Sequence, residues 1–154
     1  MEEGKLFVSK MRNGTVIDHI PAGKGLKALA ILGKKGVGSA KVAILVNAES
    51  RKLGRKDMVK VEGRRVGEDE ASLIALIAPE ATICIVDEYK VAEKHTLSLP
   101  KTIKGAIRCT YTRCISNNDS EAESEFRVLS SSPMIIECTY CVTRISEFEV
   151  ASQF

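Results

Sequence analysis

Four of the five cysteines in this chain form two close pairs near its C-terminal end. Cys109 and Cys114 close the segment "CTYTRC", and Cys138 and Cys141 close "CTYC". Each pair fits on one turn, and four thiolates complete a tetrahedral shell around zinc that leaves no position for water. The spacing therefore predicts one structural zinc per chain. Iron also accepts four thiolates, and unligated or disulfide-bonded cysteines are a further alternative.

The fifth cysteine, Cys84, lies in the apolar segment "TICIV" and is interpreted as a small core residue. No N-terminal segment resembles a signal peptide, and no stretch approaches the roughly 20 apolar residues of a membrane span. We therefore expect a cytoplasmic protein without membrane association. In a reducing compartment, clustered cysteines bind metals more often than they form disulfides.

Lysines are concentrated in two segments of the basic N-terminal part. "GRKDMVK" carries Arg55, Lys56 and Lys60, and "YKVAEK" carries Lys90 and Lys94. If these segments form neighbouring strands, their lysines converge on a phosphate chain. A solvated surface is the more common environment of lysine. The sequence has no Walker A motif and no dinucleotide fingerprint, so a nucleotide would bind without a helix-terminus cradle.

An acid and a histidine are adjacent in "GTVIDHIP". Neighbouring strand residues point to opposite faces, so Asp18 and His19 are not expected to act together on one substrate atom. On the residues alone, His19 is best interpreted as a hydrogen-bonded strand residue. Because no nucleophile has an obvious partner, an enzyme using Asp18 and His19 is the less favoured interpretation.

The segments before Pro100 predict an α+β domain. "LFVSKM" and "GTVIDHI" predict a hairpin about Asn13-Gly14. "PAGKGLKALAILG" predicts a helix that buries Leu26, Leu29, Ala30 and Leu32, and "KVAILVN" predicts a buried strand. "DMVKVEG" predicts a strand that buries Val59 and Val61. "GEDEASLIALIAP" predicts a second helix, and "TICIVDEYKVAEK" predicts one or two strands. When the first hairpin strand is left out, the order is β-α-β-β-α-β, which is ferredoxin-like, a sheet with two helices on one face.

The segments after Pro100 predict a small all-β zinc-binding domain. We expect strands at "GAIRC", "SEFRVL", "MIIEC" and "ISEFEV". So short a unit usually needs an added cross-link, such as a bound metal ion, to be stable. Charge and cysteine usage both change at Pro100. Residues 1–100 carry 17 Lys/Arg against 13 Asp/Glu, and residues 101–154 carry 6 against 7. We therefore predict two domains, 1–100 and 101–154.

Several segments together resemble one family, the regulatory chain of aspartate carbamoyltransferase in pyrimidine biosynthesis. The resemblance is carried by the C-x4-C…C-x2-C pattern with "NGTVIDHIPAG", "GRKDMVKVEG" and "LIAPEATICIVDEYKV". It implies a non-catalytic, allosteric chain whose domain 1–100 binds CTP or ATP, with UTP as a further possible effector, and whose zinc domain 101–154 docks on the catalytic chain. It also implies pairing with a second regulatory chain, in a holoenzyme of two catalytic trimers and three regulatory dimers.

The resemblance also assigns site residues. Asp18 and His19 would lie at the nucleotide pocket, Lys60 and Lys94 would contact the ribose or phosphates, and Lys56 would lie beside them. The base and sugar would be lined by Val8, Met11, Val16, Val86, Tyr89 and Val91. In the family, asparagines often occupy the loop that is "TYTR" here, and an acidic residue is frequent at the position of Val142.

The main alternative is a zinc-ribbon protein that binds nucleic acid. Such a protein would need a basic zinc domain with exposed aromatics or arginines. Residues 101–154 have a formal charge of −1, from 6 Lys/Arg and 7 Asp/Glu. We therefore expect no nucleic acid as partner.

Overall fold

The structure is a computed structural model that describes residues 10–33 and 38–154. Val8 and most of the predicted strand "LFVSKM" lie outside the described residues, as does most of the turn "KKGVGS". Within the described residues, no helix has both the length and the apolar character needed to cross a membrane.

An antiparallel five-stranded sheet with two helices forms the N-terminal part of the chain, which confirms the predicted ferredoxin-like class. Along the chain the elements are β1 (Gly14–Pro21), α1 (Gly25–Gly33), β2 (Val42–Ser50), β3 (Gly54–Glu62), α2 (Glu68–Ile77), β4 (Thr82–Asp87) and β5 (Lys90–Thr96). The strands follow the spatial order β2-β3-β1-β4-β5. Gly14 begins the central strand at φ +151°, and a Cβ there would overlap the Val61 carbonyl oxygen.

One face of the sheet is buried under α1, which packs against β2 and β3. Ile17, Val59 and Val61 are fully buried, as the alternation in "DMVKVEG" predicts. The predicted buried face of α1 is wrong in part. Leu26 is 64% exposed and Ala30 is exposed, whereas the helix buries Gly25, Ala28, Ile31 and Leu32.

The predicted burial of "KVAILVN" is also wrong. Its strand β2 lies at the edge of the sheet, where one side of its backbone has no partner strand among the described residues. The apolar side chains from Val42 to Leu45 are therefore only half-buried, and Val46 is exposed. An apolar run predicts a strand correctly, but it cannot distinguish a central strand from an edge strand.

A buried carboxylate, Asp57 on β3, fixes the start of α1 and the irregular part of β2. Its Oδ2 accepts hydrogen bonds from the backbone N–H groups of Gly23 (3.0 Å) and Gly25 (2.8 Å). Its Oδ1 accepts one from the N–H of Asn47, which has φ +61° (2.8 Å). A Cβ at Gly25 would collide with Asp57, so glycine is required for this close approach.

We predict that Asp57→Ala destabilises the first sheet by at least about 3 kcal/mol, because hydrogen bonds to a charged group contribute about 1.5–3 kcal/mol each and three donors lose their acceptor. The measurement is hydrogen exchange of the β3 amides. The control is Glu62→Ala, which removes only an exposed pair with Lys41 at 3.9 Å and should cost less than about 1 kcal/mol. Equal protection in the two variants would contradict the prediction.

The C-terminal part contains a second antiparallel sheet and two short helices. Its elements are β6 (Thr102–Lys104), α3 (Ile115–Asn118), β7 (Glu125–Ser131), β8 (Met134–Cys138), β9 (Arg144–Ser146) and α4 (Glu147–Ala151). The strands follow the order β6-β7-β8-β9. Phe126, Ile136 and Ile145 are fully buried in its core. The predicted strands "SEFRVL" and "MIIEC" correspond to β7 and β8, and the small all-β domain is confirmed, with two short helices added.

Two predicted strands of this region are wrong. The strand lies at Thr102–Lys104, ahead of "GAIRC", which is irregular. "ISEFEV" is a strand only up to Ser146 and then becomes α4. Ser146 and Glu149 form a capping box, in which the Ser146 N–H donates to Glu149 Oε2 at 2.8 Å. Such reciprocal capping starts a helix even where the side chains alternate in polarity.

By residue contacts the chain forms two compact units. One comprises Met1–Gly67 and Ala81–Thr96, and the other comprises Glu68–Glu80 and Leu97–Phe154. Helix α2 therefore groups with the second unit, where it contacts α4. The division into domains 1–100 and 101–154 stays a prediction.

Candidate functional site

The four paired cysteines come together in the second unit. All four Sγ atoms lie within 4.8 Å of one another. Cys109 Sγ is 3.6 Å from Cys141 Sγ, and Cys114 Sγ is 3.7 Å from Cys138 Sγ. Zn–S bonds of about 2.3 Å in a tetrahedron place sulfurs about 3.8 Å apart, whereas a disulfide needs about 2.05 Å. The cluster therefore fits one structural zinc, as predicted, and the cysteines are free thiols.

The local environment of the thiols explains why a cation suits this cluster. Burial raises the pKa of Cys109 to about 12, against a hydrogen bond from the Tyr111 N–H. Burial also raises the pKa of Cys138, although the N–H groups of Cys141 and Tyr140 oppose it. At Cys141 burial acts in the same direction, but hydrogen bonds between Cys141 and Thr143 lower the pKa to about 7. A divalent ion would take the place of the protons and offset two of the four thiolate charges.

Two tight turns present the thiols, and we call them the zinc knuckles: residues 109–114 and residues 138–142. In the second knuckle, the N–H of Val142 donates to the Cys138 carbonyl at 2.9 Å, and Val142 has φ +59°. This left-handed conformation is strained for a β-branched residue. Val142 is also 64% exposed, so the strain is not offset by burial of its side chain.

The exposed side of the first sheet, opposite Ile17, Val59 and Val61, brings most of the predicted nucleotide residues together. We call it the open face. Directly paired residues of an antiparallel sheet share a face. The pairs Lys60–Val16, Val16–Cys84 and Cys84–Lys94 therefore form one row across four strands. Above this row lie Val86 and Val91, and below it lie Asp18, Thr82 and Thr96.

The predicted convergence of the lysines needs a correction. The two lysine-bearing strands, β3 and β5, are not neighbours, because β1 and β4 separate them. Three strand spacings put the backbones of Lys60 and Lys94 about 14 Å apart. The two ammonium groups are therefore suited to different parts of an elongated anionic ligand rather than to one phosphate oxygen.

Asp18 and His19 depart from the strict alternation expected from the sequence. A register shift between Ile17 and Ile20 marks a bulge, and His19 has φ +58°. The His19 N–H donates to Asp18 Oδ1 at 2.7 Å, and His19 Nδ1 lies 3.0 Å from Thr82 Oγ1. The two residues are thus held together at one place, whereas alternation predicts opposite faces.

Lys56 is already committed to an ion pair. Its Nζ lies 2.8 Å from Asp18 Oδ1, and both side chains are mostly buried. Burial acts to raise the pKa of Asp18, but the Lys56 hydrogen bond, the hydrogen bond from the His19 N–H and the positive charge of Lys56 bring it below the usual value. The lysines of the row, Lys60 and Lys94, therefore remain the cations best placed for a ligand on the open face.

The upper end of the open face is the β4–β5 turn. Glu88 and Tyr89 both have positive φ, as in the two-residue turns that suit the twist of a hairpin. The N–H of Tyr89 donates to the Arg12 carbonyl at 3.0 Å, and the Arg12 guanidinium pairs with Glu88 at 3.0 Å. These bonds hold Arg12, which follows the buried Met11, against the turn. Tyr89 and Val91 are exposed.

Two residues of the open face were missed by the sequence reasoning. Cys84 was predicted to be a core residue, but it is only partly buried and lies between Val16 and Lys94. Thr82 is buried beneath His19. The signal that could have found them is the alternation in "TICIVD", which places Thr82, Cys84 and Val86 on one face once the core face is known.

Comparisons with known proteins cover almost the whole chain. Residues 6–98 match the family described as aspartate carbamoyltransferase regulatory chain, allosteric domain, and residues 101–151 match its metal binding domain. The regulatory chain of Metallosphaera sedula is 53% identical over 148 residues, which cover 96% of this chain and 94% of that protein. The corresponding chain of Saccharolobus solfataricus is 54% identical over 149 residues, covering 97% and 94%.

Proposed function

This chain belongs to the aspartate carbamoyltransferase regulatory chain family, and from that premise we propose that its open face binds CTP and ATP, with UTP as a further effector, and that its zinc knuckles dock on the catalytic chain. The family makes it a non-catalytic subunit with an allosteric domain, a metal-binding domain and a catalytic chain as partner. The identity of the effectors and the residues that bind them are the content of the proposal.

The open face is the observation that carries the nucleotide assignment. Two lysines flank Val16 and Cys84 in one row, with apolar side chains at one end and the Asp18–Lys56 pair with His19 at the other. A nucleoside triphosphate has an apolar-faced base, a polar ribose and a polyanion along its length. In the proposed arrangement Met11, Val16, Val86, Tyr89 and Val91 line the base and sugar, and Lys60 and Lys94 contact the ribose or phosphates.

The proposed mechanism is a coupling free energy between two sites. A nucleotide that binds the open face more tightly in one quaternary state of the holoenzyme shifts the balance toward that state. A coupling of about 1–3 kcal/mol corresponds to roughly a 5–150-fold change in affinity. The zinc contributes by holding both knuckles in one conformation, so that the surface they present to the catalytic chain is rigid.

The docking surface consists of side chains that project from the zinc knuckles. Four large apolar residues are exposed there. Tyr111 lies in the first knuckle and Ile115 directly after it, and Tyr140 and Val142 lie in the second knuckle. Exposed aromatic and aliphatic groups around a rigid centre are typical anchors of protein interfaces. The resemblance places asparagines and an acidic residue in this loop and at Val142, so we propose that docking here depends more on apolar contact.

Replacement of Val142 by glycine should have opposite effects on the stability of the chain and on its binding to the catalytic chain. Val142→Gly should raise the stability of the zinc-loaded chain by up to about 1 kcal/mol, because it relieves about 1–2 kcal/mol of left-handed strain and gives back part of this in unfolded-state entropy. The same change should weaken binding to the catalytic chain.

The measurements for Val142→Gly are thermal unfolding of the chain and biosensor affinity for the catalytic chain. Val142→Ala is the matched variant, because it keeps a Cβ and most of the strain but removes the apolar side chain. It should weaken docking without stabilising the chain. Undiminished docking in both variants would remove Val142 from the proposed surface.

Pairing with a second regulatory chain is proposed at the exposed edge of the first sheet. Within residues 10–33 and 38–154, β2 is an edge strand with half-buried apolar side chains. Val46 on β2 and Leu26 on α1 are exposed. An unpaired, apolar edge strand is a template for pairing with another chain. Such a dimer would supply the three regulatory pairs of a holoenzyme with two catalytic trimers.

The experiment that tests the function is reconstitution. The zinc-loaded chain is mixed with isolated catalytic subunit, and carbamoyl transfer is measured with and without CTP, ATP and UTP. The proposal expects a larger complex whose activity responds to at least one nucleotide, while the regulatory chain alone has none. A complex insensitive to all three nucleotides would refute the effector assignment and leave the docking role.

A further inference from the structure

Two consecutive asparagines, Asn117 and Asn118, contact the first zinc knuckle from outside the metal shell. Both lie at the end of the four-residue helix α3, which follows Cys114 directly. Neither residue was singled out from the sequence, and neither belongs to the cysteine cluster. Their side-chain amides are nevertheless directed back onto the loop that carries two of the four ligands.

The contacts use both amide groups in the same way. Asn117 Nδ2 donates to the carbonyl oxygens of Cys109 (3.0 Å) and Tyr111 (2.8 Å). Asn118 Nδ2 donates to the carbonyl oxygens of Thr112 (3.0 Å) and Cys114 (2.8 Å). An amide NH₂ has two hydrogens, so each asparagine uses its full donor capacity on this one loop.

The four bonds span the loop from its first cysteine to its last. Backbone N–H groups already bond two of these four carbonyls: the Cys114 N–H donates to the Tyr111 carbonyl at 3.0 Å, and the Asn117 N–H donates to the Cys114 carbonyl at 2.9 Å. In the isolated loop the remaining carbonyls would turn toward water, and each turn would change the positions of the two thiols. Fixing these carbonyls therefore fixes the separation and direction of Cys109 Sγ and Cys114 Sγ.

We propose that Asn117 and Asn118 are positioning residues that pre-form the Cys109–Cys114 loop for zinc, acting through four backbone carbonyls and not as ligands. Groups that orient metal ligands from outside the shell typically contribute 10–100-fold to metal affinity. The inference concerns the metal site alone, so it stands or falls independently of the nucleotide and docking assignments.

The test uses the full chain with both residues replaced. Asn117→Asp with Asn118→Asp keeps the shape of the side chains and removes their donors, but it adds two negative charges near the thiolates. Asn117→Leu with Asn118→Leu removes the same donors without adding charge. We expect both double variants to bind zinc 10–100-fold more weakly in competition with a chromogenic chelator, and to release zinc faster, because the loss that they share is that of the hydrogen bonds. The control is Glu121→Ala, a change at an exposed side chain in the same segment.

Cobalt(II) provides a readout that a change of ligands would alter. The Asn→Asp variant should give the same tetrathiolate absorption bands as the parent chain, with only the titration midpoint displaced to higher cobalt concentration. Wild-type zinc and cobalt affinity in the variant would overturn the proposal. Bands of a site with fewer thiolates would also overturn it, because they would make the asparagines necessary for ligation itself.

Discussion

Removal of the zinc should abolish assembly with the catalytic chain while nucleotide binding to the first unit changes by less than about threefold. Structural zinc contributes apparent binding free energies of about 10–16 kcal/mol, more than the core of so small a unit supplies. Across the two knuckles, Cys109 Sγ lies 3.6 Å from Cys141 Sγ and Cys114 Sγ lies 3.7 Å from Cys138 Sγ, so a bound ion would join the knuckles. Without it the two turns separate and the docking surface loses its shape. Metal content, size-exclusion chromatography and calorimetric titration with CTP measure the three quantities.

Cys138→Ser tests the same point genetically, because it removes one buried ligand. The matched control is Cys84→Ser, which changes the remaining cysteine but leaves the metal cluster complete. We expect the first variant to lose zinc and assembly, and the control to keep both. Intact assembly after verified removal of the metal would disprove the transmitting role of the zinc knuckles.

Lys60→Ala should weaken nucleotide binding by roughly 30-fold. A hydrogen bond to a charged group contributes about 2 kcal/mol, and the neighbouring Lys56 cannot replace it while its Nζ is paired with Asp18. Calorimetric titration of the zinc-loaded chain with CTP and ATP measures the loss. Lys90→Ala is the control. Lys90 is the strand-register partner of Asp87, so it lies on the face of the sheet opposite Val86 and Val91. The control should bind as the parent chain does.

Lys94→Ala extends the same experiment, since Lys60 and Lys94 are about 14 Å apart along the row. Both variants are titrated with CTP and with cytidine. A lysine that contacts the phosphates should matter for CTP and lose its effect with cytidine, whereas a lysine at the ribose should affect both. Unchanged affinity for all nucleotides in both variants would mean that the open face is not the effector site.

The parts of the fold that were predictable are those with a strong local signal. The cysteine spacing predicted the metal cluster, and the alternation around Val59 and Val61 predicted β3 and its buried face. Local signals failed where a neighbour decides the outcome. The burial of β2 depends on its position in the sheet, and the exposure of Leu26 depends on which face of α1 meets β2 and β3. The separation of Lys60 from Lys94 depends on strand order. Neither is contained in a short segment.

The zinc knuckles and the open face show the same difference between residues that a local pattern identifies and residues that only the folded structure identifies. The cysteines could be identified by spacing, but Asn117, Asn118 and Thr143 act through bonds to backbone or thiols that no motif describes. The resemblance supplied Lys60, Lys94 and Asp18. It did not supply Cys84 and Thr82, because they become visible only when the pairing of β1 with β4 is known.

The bulge at His19 has a consequence for how this strand tolerates change in length. Ile17 and Ile20 are both fully buried although they are three residues apart, a spacing that a regular strand would place on opposite faces. One extra residue therefore corrects the phase of β1, and it does so where Asp18 must remain on the open face. Loss of a single residue here would exchange inside and outside for the rest of a central strand. The length of this segment is thus constrained as tightly as its composition. A related sequence with a one-residue deletion here would place different side chains on the open face.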